Sequence, residues 1–175
     1  MSNKVNKESI EKVINKHFNT LDYKVNNISQ STQLTGKDIF DITTTGMSYY
    51  NAMIQKGHIA GNRDPVEYFR TNKGLVFEIE RMSPEEYLTK VYTIHINAII
   101  LENIEIDTIE DYLLDHIDFE DVKEYKERTL KGSKMPMIML DYSRNEQEGR
   151  HRAMVALQLN VEEIPVLVVR TYEGE

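Results

Sequence analysis

The chain has 175 residues, 40% of them hydrophobic, which suits one compact domain with its own core and is too apolar for disorder throughout. A formal charge of −8 argues against a nonspecific grip on nucleic acid, which needs accumulated Lys and Arg. The absence of cysteine excludes disulfides, thiolate zinc sites, iron–sulfur clusters and a cysteine nucleophile.

From Glu8 to Phe18, the apolar residues Ile10, Val13, Ile14 and Phe18 fall on one helical face. The polar Asn26 to Gly36 stretch reads as a loop or short linker. Thr35-Gly36-Lys37-Asp38 has capping-box spacing, although the Thr43-Thr44-Thr45-Gly46 run does not support a long helix after it. Met47, Tyr50 and Ile54 give another helical stripe, and Asp64-Pro65 is a helix start. Residues 1–74 thus read as a helical N-terminal region, with Tyr49-Tyr50 and Tyr68-Phe69 as its aromatic surface or interface.

Leu75 to Glu80 is β-rich and is placed as the first strand. Ser83-Pro84-Glu85-Glu86 follows with an N-cap serine, an N1 proline and an N3 glutamate, a specific helix start. The β-branched stretch from Tyr92 to Ile106 fits either a strand or a continued buried helix. Asp107 to Ile117 is helical by spacing, and Asp118 caps a helix over Phe119 to Lys131 whose acidic first turn and basic last turn match its dipole. Met135 to Tyr142 reads as a strand, Ala153 to Leu159 as an apolar helical face and Ile164 to Val169 as a buried strand.

Between the Met135 strand and that helix stands Gln147-Glu148-Gly149-Arg150-His151-Arg152. Gly149 can adopt a positive φ and lets a ligand approach the backbone, while a new helix offers free N–H groups to an anion. Arg150 and Arg152 can add charge-assisted bonds to phosphate or carboxylate oxygens, with Glu148 and His151 as candidate proton carriers. The bland alternatives are an ion pair between Glu148 and Arg152, and His151 packed on the Pro165 strand. Asp141 and Ser143 could face the same pocket or simply form the turn before Arg144-Asn145. One of Glu78, Glu80 and Arg81 could border it if their strand lies beside the Met137 strand. The five histidines, at 17, 58, 95, 116 and 151, show no metal-ligand spacing, so no metal site is assigned.

Three stretches together carry a resemblance: Met137-Ile138-Met139-Leu140-Asp141, Glu148-Gly149-Arg150-His151-Arg152-Ala153, and Leu159 through Ile164-Pro165-Val166. They resemble the ParB/sulfiredoxin-like superfamily, and look closest to small ParB-like domains of phages and mobile elements. The resemblance covers Phe119 to Val169, with Ile79 to Leu88 as the opening strand and helix. It implies an α/β (α+β) fold with a small mixed sheet flanked by helices over residues 75–175. It also implies phosphate binding at the turn, the nucleotide being CTP or ATP with or without Mg2+, with Gly149 as the turn glycine and Arg152 as the motif arginine. Sulfiredoxins carry their reactive cysteine where this chain has Arg150, so that activity is excluded. Partitioning proteins have glutamate there and arginine at the place of His151, and with six residues after Val169 a downstream helix-turn-helix region, and with it a chromosome-partitioning role, is not expected.

The expectation is therefore a phage or mobile-element ParB-like protein that binds a nucleotide or other phosphorylated ligand at the Gly149–Arg152 turn. If it is an enzyme, the chemistry is phosphoryl transfer or NTP hydrolysis. The alternative is a non-catalytic factor that engages a host or phage protein through its acidic helical surface. Direct nucleic-acid binding is not expected. With no 18-residue apolar run and no signal-like N-terminus, no membrane association and a cytoplasmic location are expected.

Overall fold

The computed structural model describes residues 33–45, 75–100, 108–143 and 145–171, together with Glu8 and Lys12. Of the helix expected from Glu8 to Phe18, Glu8 and Lys12 are described; both are helical and form an ion pair at 3.4 Å. The stripe from Met47 to Ile54, the Asp64-Pro65 start and the Tyr49-Tyr50 and Tyr68-Phe69 pairs lie outside the described residues.

The Thr35 hydroxyl and backbone N–H both donate to the Asp38 carboxylate, at 2.9 and 2.8 Å, and close a one-turn helix α1 (Gly36–Ile39). The chain passes directly into β1 (Phe40–Thr45). This corrects the expectation that Leu75 opens the first strand. The cap spacing does make a helix, but the β-branched Ile42 to Thr45 run ends it after one turn and favours extended backbone.

The other elements are β2 (Leu75–Met82), α2 (Pro84–Ile100), α3 (Ile109–His116), α4 (Phe119–Leu130), β3 (Met135–Asp141), β4 (Glu146–Glu148), α5 (Arg150–Gln158) and β5 (Ile164–Thr171). The strands form one mixed sheet in the order β1-β3-β5-β2, with β4 pairing β3. β1 and β5 run parallel to β3, while β2 is antiparallel to β5. β5 thus separates β2 from β3, so Glu78, Glu80 and Arg81 do not stand beside the Met137 strand. The crossover through α5 is what brings β5 parallel to β3 and takes that place.

α2 begins where the sequence indicates, with the Ser83 hydroxyl accepting from the Glu86 N–H at 3.1 Å. It continues as a helix to Ile100, through the described part of the β-branched stretch. Leu88, Val91 and Ile94 recur on its buried face, and the Thr89 and Thr93 hydroxyls donate to carbonyls one turn back. The helix expected over Asp107 to Ile117 is α3, capped by Thr108, and Asp118 caps α4. Ile138, Leu140, Val166 and Val168 share the core with these helices, and Met137, Met139, Leu167 and Val169 on the other sheet face are equally buried. This explains why Ile164 to Val169 is continuously apolar rather than alternating. α5 is buried from Arg152 to Leu159, wedged between the sheet, α2 and α4.

Candidate functional site

β3 turns back into β4, which pairs with it from Met139 to Asp141, and Gly149 then starts α5. Asp141 and Ser143 form the turn: the Ser143 N–H and hydroxyl both donate to Asp141 Oδ1, at 3.0 and 2.5 Å. Gly149 has φ +122, and a Cβ there would lie 2.3 Å from Ile138 Cγ2. Only glycine allows the chain to pass this close to β3 while turning into a helix.

Along the same edge of β3, β1 pairs as far as Met137 and β4 begins at Met139. Arg152 fills the gap. Its Nη1 donates to the Pro136 and Met137 carbonyls at 2.6 and 3.2 Å, and its Nη2 meets Glu148 Oε1 at 3.4 Å. Arg152 is 5% exposed, and burial lowers its pKa against the opposing pull of Tyr87, Glu148 and Tyr125. Behind it, the Tyr87 hydroxyl bridges the Met139 and Glu148 carbonyls at 3.1 and 3.0 Å, and burial pushes its phenol well above the usual range. The expected ion pair of Glu148 with Arg152 is thus present, within a larger buried network.

Arg150 and His151 face the other way, into a cavity of about 420 Å³. Arg150 Nε donates to the His116 carbonyl at 2.5 Å, and its two terminal nitrogens bond none of the described residues. His151 is tied to the start of α4: its Nε2 accepts from the Asp118 N–H at 2.9 Å. The crossing of α5 over the start of α4 carries it there. A ring nitrogen that accepts is unprotonated, so His151 is neutral with its proton on Nδ1. Its pKa is lowered by burial first and by Arg150 second, against Asp121, Asp118 and Glu148, which raise it.

The cavity wall is completed by Asp115 and His116 at the end of α3, and by Ile117 to Asp121 around the start of α4. It therefore holds a donor end, made by Arg150 and the start of α5, and an acidic side, made by Asp115, Asp118, Glu120 and Asp121. The first backbone bond of α5 is Ala153 N–H to the Gly149 carbonyl, 2.9 Å. Among the described residues nothing accepts from the N–H groups of Arg150, His151 or Arg152, and the first turn contains no acid and no side-chain cap.

No family model, no curated protein and no solved structure matches this chain. Its chemistry is read from its own residues. Of the five candidate residues, Arg150 and His151 line the cavity, whereas Glu148, Gly149 and Arg152 form the layer behind it. His116 and Tyr87 were not singled out from the sequence as part of the site, because each contributes through a contact distant along the chain. Asp118 was legible as a helix cap, but not as the partner of His151. Among the described residues no group of three or more His, Asp or Glu side chains is placed to hold a metal ion, and no helix is long and apolar enough to cross a membrane.

Proposed function

We propose that the protein binds a phosphorylated small molecule, with a nucleotide such as CTP or ATP as the leading case, in the cavity at the start of α5. The observation that carries this reading is the acid-free first turn of α5 beside the end of the Arg150 guanidinium that bonds none of the described residues. Such a turn supplies backbone donors and the positive end of the helix dipole, and Arg150 adds a forked, permanently charged donor. The ParB/sulfiredoxin-like resemblance and a phage or mobile-element origin are part of the same proposal.

The residues fit one phosphate group better than a bare polyphosphate. Four carboxylates share the cavity with one permanent cation, so each further phosphate charge is opposed unless its own counter-cation accompanies it. Mg2+ would arrive with the nucleotide rather than wait in a protein site. Binding also fits better than turnover. Glu148 is engaged by Arg152 away from the cavity, and His151 Nε2 is committed to the Asp118 N–H, so neither is free to take a proton from a reacting group. NTP hydrolysis is accordingly the secondary part of the reading.

Calorimetric titration with CTP, ATP and the corresponding monophosphates, with and without Mg2+, tests it. The expected result is saturable binding that Arg150→Ala weakens by about tenfold or more, the loss of a charge-assisted bond. A folded sample that binds none of them would overturn the proposal. The acidic side of the cavity favours a second reading, a protein partner that presents a basic segment to Asp115, Glu120 and Asp121. A synthetic basic peptide that binds where nucleotides do not would favour it.

A further inference from the structure

The hydrogen bond between Asp118 N–H and His151 Nε2 ties the start of α4 to the start of α5, across the cavity that both line. It is made by a titratable atom acting as acceptor. A proton on Nε2 would turn it into a donor facing another donor, and the bond could not persist. Few contacts in a fold depend so directly on one proton.

We propose that His151 is a proton-operated latch on this cavity: neutral, it holds the two helix starts together; protonated, it releases Asp118 and offers the cavity a second cation beside Arg150.

The groups facing the imidazole support both states. Arg150 on its own helix and partial burial favour the neutral ring, whereas Asp118 and Asp121 of α4 and Glu148 of β4 attract the protonated one. The protonated side chain thus has carboxylates nearby whose charge favours it when it lets go of the amide. Across the cavity stand Asp115 and His116 of α3. His116 Nδ1 lies 3.0 Å from the Tyr112 carbonyl, and its ring stacks on Tyr112 with centroids 4.4 Å apart and meets the His95 ring of α2 at 4.9 Å, so the ring is held by α3 and α2 while the His116 carbonyl accepts from Arg150. Release and an added positive charge act in one direction on an anion. Proton uptake and anion uptake should therefore assist each other, and by linkage an anion should raise the pH at which His151 titrates. The coupling rests on the proposed anion site; the latch itself does not.

Nitrogen-15 NMR of the full chain from pH 8 to 5 tests both. The Asp118 amide resonance should move together with the His151 imidazole nitrogens at one midpoint below 6.5. In His151→Gln, whose amide oxygen accepts at every pH, the Asp118 movement should disappear, while His116→Gln should leave it intact. An Asp118 amide that stays still as His151 titrates, or that moves identically in His151→Gln, overturns the latch. Repeating the titration with sulfate, whose charge does not change in this range, should shift the His151 midpoint upward in the wild type and not in Arg150→Ala. A latch that operates while sulfate shifts nothing would overturn the coupling and count against the anion site, leaving the latch in place.

Discussion

Two helices of this protein begin at the same cavity, and they begin in opposite ways. α4 is closed: Asp118 Oδ1 accepts from the Glu120 and Asp121 N–H groups at 2.9 and 3.4 Å, and the first turn is acidic. α5 is open: Gly149 offers no side chain, and the next three residues are Arg150, His151 and Arg152. A cation near a helix N-terminus opposes the dipole by about 0.3–1 kcal/mol. The α4 start is thus accounted for by helix stability alone, whereas the α5 start runs against it. Arg152 is explained by what it does inside, bonding the β3 carbonyls. Arg150, which lines the cavity and whose terminal nitrogens bond none of the described residues, is left for a ligand to explain.

The largest expected effect distinguishes the two starts by what they tolerate. Gly149→Ala introduces a Cβ against Ile138 and a side chain at φ +122, and should cost about 3 kcal/mol or more from backbone strain and overpacking together. Arg152→Met should follow at about 2–3 kcal/mol, since it strips charge-assisted bonds from the Pro136 and Met137 carbonyls and leaves Glu148 without its partner. Asp118→Ala should cost only about 1 kcal/mol, the loss of one cap. Urea denaturation of the three variants gives the order. An Arg152→Met protein as stable as the wild type would mean that the arginine is not the filler of the β3 edge.

What could be read beforehand follows the same division between local and distant causes. Ser83-Pro84 and Asp118 were legible because a cap acts on N–H groups two or three residues away, inside the stretch being read. β1 was not, because its partner on β3 lies far along the chain and the preceding Thr35 spacing points to a helix. β4 was missed for a different reason: Glu146-Gln147-Glu148 has no strand propensity and is extended only because the Asp141–Ser143 turn folds it back on β3. At the site, the glycine and the basic density of the α5 start were visible in the sequence. The opposite orientations of Arg150 and Arg152 were not, since neighbouring arginines on a first turn look alike until the gap between β1 and β4 is known. The His151 contact with Asp118 joins residues of two helices that the sequence describes separately.

Arg150→Ala should separate stability from binding most sharply. The half-buried side chain contributes one bond to the His116 carbonyl but sits unfavourably at the helix start, so the two effects offset and its removal should change stability by no more than about 1 kcal/mol. Anion affinity should nevertheless fall as stated above. A large loss of stability instead would make Arg150 a structural tie like Arg152, and the contrast between the two helix starts would lose its functional meaning.

The smallest effect is a pH dependence, and its sign follows from which state takes up the proton. The latched His151 is neutral, and its pKa in the folded protein lies below the 6.5 of an ordinary histidine. Between that folded value and 6.5 the unfolded chain binds more protons, so stability rises with pH across this window. It is complete above 6.5 and is lost as the pH falls toward the folded value. The depressed carboxyl of Asp38, held by the Thr35 N–H and hydroxyl, contributes with the same sign but only around and below its ordinary 3.8, which lies below pH 5.5. Urea midpoints compared between pH 8 and 5.5 should therefore fall more in the wild type than in His151→Gln, whose acceptor does not titrate. Equal falls in both would assign the acid sensitivity to other groups. The closed start of α4 and the open start of α5 would then be neighbours without a protonation-dependent bond between them.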